Sequence, residues 1–218
     1  MSRRGLGNHR LAERSRLGDR GKVRPGVAYR QRGTIDRDRA SSFSAPEVWH
    51  EPRDRQFPTI IQQEPGENFW HPVTVAEVRE RLLQLPEWMT SQVEVVQLSR
   101  MTRKRALFPL YGMQWGANIY LYPLEAGLVE HYLRPPNPQQ RIEAGMYGGT
   151  WTQTGSLWEL RWTYEGLRDF YLNNVLIHEV GHVLDQRNTT HRDRERYANW
   201  FAIEYGYRAT GGQRRQRA

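Results

Sequence analysis

NNVLIHEVGHVLDQ, residues 173–186, is the stretch from which the rest of this 218-residue chain is best read. Val175, Leu176, Ile177, Val180, Val183 and Leu184 make it apolar at helix-compatible spacing, and the pattern predicts a buried helix from about Glu165 to Gln186. His178 and His182 stand four residues apart, so a helix stacks them one turn above the other on one face. Two imidazole nitrogens at that spacing can converge on one zinc ion at about 2.0–2.1 Å. Glu179 is rotated about 100° from His178, placing it to take a proton from a water at an open metal position. An unpartnered His pair and Glu would be costly in so apolar a segment. Gly181 leaves the helix face bare for a close neighbour.

A catalytic zinc needs a third protein ligand and an open position. A second helix is predicted from about His191 to Arg208, with Thr190 and Asp193 as its start signal and a turn at Asn188–Thr190 before it. That turn returns the chain over the first helix and makes Glu195 the favoured third ligand. Asn199, one turn further on, can hold a ligand histidine through its amide. His191, Asp193 and Asp185 are the alternatives, and Asp185 is disfavoured because three ligands from one straight helix rarely complete a tetrahedron. Tyr197, His191, Tyr205 and His131 are each candidate donors to a developing oxyanion, and the sequence does not rank them.

Upstream, Trp158, Leu160 and Trp162 alternate with Glu159 and Arg161, so a hairpin is expected over Thr150–Thr163 with its turn at Gly155. Residues 134–149, with Pro135, Pro136, Pro138 and Gly148–Gly149, read as a cleft-lining or mobile loop. Residues 92–99 and 117–122 read as strands, the latter as an edge strand. Trp115 and Trp151 are candidate cleft residues. Thr74 and Glu77 form a capping box at the head of a helix carrying Val75, Val78, Leu82 and Leu85 and stopped by Pro86. The Pro-rich stretch 41–72 reads as a linker lying on the domain through Trp49, Phe57 and Trp70. The order of elements is α+β, with no repeated β–α–β units.

The charge is concentrated at one end. Residues 1–40 hold twelve Lys or Arg against four acids, a net +8 equal to that of the whole chain, so residues 41–218 are balanced. Such a segment has too few apolar residues to offset its ordering entropy, and it reads as a disordered arm. The expected organisation is a disordered arm and linker over 1–56, one domain over 57–210 and a basic tail over 211–218. There is no cysteine, so a metal must be held by His and carboxylate. No 18-residue apolar run is present, and no apolar signal core follows the N-terminal charges, which favours a cytoplasmic protein without a membrane span.

HEVGH at 178–182, followed by Glu195, Ala198, Asn199, Phe201 and Ala202 in the pattern E-x-x-A-N-x-F-A, resembles the zincins of Glu-ligand type, and among them the ImmA/IrrE-like metallopeptidases. The resemblance covers residues 175–205. It implies a zincin-like domain with a small twisted, mostly antiparallel sheet, an active-site helix and a following C-terminal helix. It further implies that His178, His182 and Glu195 bind zinc and that Glu179 is the general base of peptide hydrolysis. Tyr197 departs from the acidic or amide residue usual in that group, and no helix-turn-helix accompanies the motif. The elongated metzincin pattern does not fit, because Asp185 and Asn188 stand where it needs Gly and His. The competing expectation is a non-catalytic zinc protein whose basic arm contacts nucleic acid or another anionic surface, and a third is a zincin with a blocked cleft.

Overall fold

The computed structural model describes Pro46, His50, residues 57–107 and residues 110–211. The Arg-rich arm, Trp49 and the tail beyond Gly211 lie outside the described residues. In chain order the elements are β1 (Thr59–Gln62), β2 (Phe69–Trp70), α1 (Val75–Leu83), α2 (Glu87–Thr90), β3 (Val95–Leu98), α3 (Arg103–Leu107), β4 (Gly112–Trp115), β5 (Asn118–Leu121), β6 (Leu124–Glu125), β7 (Val129–Tyr132), α4 (Pro138–Met146), β8 (Thr150–Thr154), β9 (Leu157–Arg161), α5 (Tyr164–Phe170), α6 (Leu176–Leu184) and α7 (His191–Phe201). Two π-helical stretches, Tyr171–Val175 and Ala202–Arg208, join α5 to α6 and prolong α7.

The fold is α+β. Its largest sheet has the order β1-β3-β5-β4, and every residue of β3 and β5 is buried, as central strands require. β1 and β5 both run parallel to β3, while β4 runs antiparallel to β5. The remaining three strand pairs are antiparallel, so four of the six pairings are of that kind. The parallel β1–β3 pair needs a crossover, and α1 supplies it. Reading 41–72 as linker overlooked β1, because Pro58 and Pro65 bracket the β-branched TIIQ segment rather than interrupt it. Phe57 and Trp70 do pack on the domain: Arg79 covers the Phe57 ring, and Trp70 stacks on Tyr164. No helix among the described residues is long and apolar enough to cross a membrane.

Two further readings change. Residues 134–149 are not one loop, because Asn137 and Gln140 cap each other's backbone N–H groups and start α4 with Pro138 in its first turn. The prolines that suggested a loop are compatible with a helix start. Residues 117–122 are not an edge either: β5 lies between β3 and β4, and the edges are β1 and β4. The hairpin forms as expected, with Gly155 at φ +64° in its turn. Glu159 breaks the strict alternation by being buried, its carboxylate accepting from Arg161 at 2.5 Å.

α1 begins on the expected capping box, and its Leu82 is fully buried. Helix α6 packs against β4 and β5 of the main sheet, and its Leu176, Ile177 and Val180 are all fully buried. Each large side chain so placed contributes about 1.5–3 kcal/mol. Buried Arg81 of α1 ties the two π-helical stretches together. Its Nε donates to Asn173 Oδ1 at 2.5 Å, and its Nη2 donates to the Tyr205 carbonyl.

Candidate metal centre

Turn chemistry places α7 over α6. Asp185 leaves the helix at ψ +90°, and its Oδ1 accepts from the backbone N–H of Arg187 at 3.3 Å and of Asn188 at 3.1 Å. Thr190 then caps α7 by accepting from Asp193 N–H at 3.2 Å. The helices meet at Gly181, where a Cβ would lie 3.1 Å from Ala198 Cα and 3.0 Å from Phe201 Cβ. The bare face expected of Gly181 is therefore what lets α7 approach. Arg194 fastens the arrangement by donating to the His182 carbonyl at 3.1 Å and to Gln114 Oε1 of β4 at 3.2 Å.

These constraints bring together the residues proposed from the sequence. Glu195 Oε2 lies 3.6 Å from His178 Nε2, and Oε1 lies 3.5 Å from His182 Nε2. The two rings have centroids 4.7 Å apart and planes at 80°. Separations of 3.5–3.6 Å are too long for good hydrogen bonds. Each is close to the edge of a tetrahedron whose ligands stand 2.0–2.1 Å from its centre, about 3.3–3.4 Å, although the two end on different oxygens of the carboxylate. His178, His182 and Glu195 thus form a group that can hold a metal ion, with their ligand atoms all within 4.8 Å of one another. Its two nitrogens and one carboxylate oxygen suit a borderline cation such as zinc. Burial opposes ionisation of Glu195, but the two imidazoles outweigh it and hold the carboxyl far below the usual carboxylate range.

The alternatives to Glu195 have other tasks or positions. Asp185 is occupied in the turn, and Asp193 accepts from Thr190 Oγ1 at 2.7 Å in the cap. His191 Nδ1 approaches Glu195 Oε1 at 3.3 Å but lies outside the converging group. Asn199 makes no hydrogen bond to either ligand ring among the described residues. Of the four candidate oxyanion donors, His191 adjoins the cluster. Tyr197 packs on Trp200 and Phe201, Tyr205 packs on Phe201, and His131 sits 3.7 Å from Glu159. Trp151 lines a small cavity with Tyr111, Tyr132, Trp162 and Phe170, and none of the three converging residues borders it.

Glu179 is buried and turned toward β4. A Cβ at Gly112 would lie 2.8 Å from Glu179 Oε1 and 2.8 Å from Val175 Cγ1, so β4 passes directly over the carboxylate. Gly112, Gln114 and Arg194 were not singled out from the sequence. The segment GMQW has no β-branched residue and its alternation of Met113 and Trp115 with Gly112 and Gln114 is too short to mark it as a strand, and each of the three acts through a partner distant along the chain. No protein-family model, curated protein or solved structure matches the chain.

Proposed function

We propose that this protein is a zinc-dependent peptidase whose metal is held by His178, His182 and Glu195 and whose general base is Glu179. The observation that carries the proposal is the convergence of two imidazole nitrogens and a carboxylate oxygen within 4.8 Å of one another, with Glu179 next to His178 on the same helix and under strand β4. The likeness of residues 175–205 to ImmA/IrrE-like metallopeptidases supports the same reading, and a cytoplasmic setting belongs to it. His191 stands outside the converging group, which favours a position open to solvent over a closed structural site.

Zinc, when bound, supplies Lewis acidity toward the scissile carbonyl and lowers the pKa of water. Glu179 accepts the proton of the attacking water as its oxygen bonds to the carbonyl carbon, then passes that proton to the amine nitrogen as the C–N bond breaks. β4 pairs with β5 on one side and with no described strand on the other. Its outer edge therefore offers backbone N–H and C=O groups to an extended peptide beside Glu179.

The purified protein is expected to carry one zinc per chain by elemental analysis and to cleave a denatured protein substrate in a chelator-sensitive manner. Glu195→Ala is expected to purify with less than stoichiometric zinc, because its affinity is weakened, and to lose the cleavage. Stoichiometric zinc in that variant would move the third ligand elsewhere, and chelator-resistant cleavage would overturn the proposal.

Gly112→Ala tests the seat of the base. Val175 is fully packed, so the added methyl is expected to displace the Glu179 carboxylate instead. Misplacement by about 1 Å costs on the order of 10²-fold in turnover, and zinc content should stay unchanged. Parent-level kcat would show that Glu179 does not depend on this contact.

A further inference from the structure

His191 has a place in the centre that differs from ligation. Thr190 caps α7, so His191 is its first residue and lies one turn before Glu195 on the same helix face. Its Nδ1 is 3.3 Å from Glu195 Oε1, yet it does not belong to the group whose atoms converge on one point. From this geometry we infer that His191 is a positioning residue, which orients the Glu195 carboxylate for the metal without itself binding it. The inference rests on the metal-centre reading above.

Glu195 needs such a hold. Its side chain is 35% exposed, and three rotatable bonds separate the carboxylate from the backbone, so packing alone does not select one orientation. The backbone of α7 is already fixed by Arg194, whose guanidinium reaches the His182 carbonyl and Gln114. What remains free is the rotation of the carboxylate about its own bonds. The approach of His191 Nδ1 to Oε1 restrains that rotation while Oε2 stays near His178 and Oε1 near His182. Partners of this kind to metal-binding side chains typically contribute about 10–100-fold in metal affinity.

The test measures zinc affinity by competition with a chromogenic chelator. It compares the parent, His191→Ala, His191→Asn, Glu195→Ala and the His191→Ala/Glu195→Ala double variant, with thermal melts of the zinc-free proteins alongside. His191→Ala is expected to weaken zinc binding about 10–100-fold. His191→Asn should recover most of that loss, since its amide N–H lies near the place of Nδ1. In the Glu195→Ala background the His191 substitution should add nothing, because the carboxylate it orients is gone. An equal loss in both backgrounds would make His191 an independent ligand or a general structural support, and would overturn the inference. Parent-like affinity in His191→Ala, or an Asn variant as weak as the Ala variant, would overturn it as well. These results leave the metal centre standing, whereas a parent protein that binds no zinc would remove both readings.

Discussion

Glu179→Gln is expected to bind zinc as the parent does and to lose peptide hydrolysis by about 10²–10⁴-fold, the usual contribution of a positioned proton acceptor. The substitution keeps the shape of the side chain under β4, where Gly112 leaves room for it. It leaves the three converging ligands in place. What it removes is basicity, since an amide oxygen accepts a hydrogen bond but does not take the proton of a water molecule. Zinc content and turnover should therefore separate, unlike in Glu195→Ala, where they should fall together. The check is elemental analysis beside a steady-state peptide assay on the same preparation. Parent-level kcat in the Gln variant would remove Glu179 from the mechanism, while loss of zinc would recast it as a structural member of the site.

The largest effect on stability is expected at Gly206, far from the chemistry. A Cβ there would lie 1.8 Å from the carbonyl oxygen of Asn173 and 2.9 Å from its carbonyl carbon. Both are backbone atoms, so no side chain can swing aside. Asn173 is also pinned: Arg81 and Asp169 engage its side chain, and Tyr147 Oη donates to its carbonyl at 3.0 Å. Gly206→Ala must therefore push apart the two π-helical stretches that continue into the helices bearing the ligands. The expected cost is about 3 kcal/mol or more, equivalent to a fall in Tm of roughly 6–12 °C for a domain of this size. Circular-dichroism melts of the zinc-free proteins measure it without interference from metal binding. A change in Tm within about 2 °C would mean that the helices can part at this point without consequence.

Much of the centre was legible because it is written in local spacing. Histidines one turn apart need only a helix to share a face, and the apolar residues around them specify that helix. Glu195 was legible for a related reason, since a turn at 188–190 and the Thr190 cap fix the register of the next helix. The readings that changed share a different cause. Pro58, Pro65 and Pro138 each looked like breaks, whereas here the first two flank a strand and the third starts a helix, roles that depend on which backbone N–H groups need partners. GMQW alternates over only four residues and has no β-branched side chain, so the sheet edge is read instead into the more obviously strand-like residues 117–122.

The linear order of residues by itself determined the α+β class, the helix that pairs His178 with His182, and the capped helix that returns Glu195 toward them. Only the tertiary structure decided that β4 is an edge strand, that Gly112 seats Glu179 beneath it, that Arg194 joins three elements, and that Gly206 lets the ligand-bearing helices close. The division has one physical reason. Periodicity and capping act through neighbours three or four residues away, while edge position and close backbone approach depend on groups tens of residues distant, whose meeting no local pattern encodes.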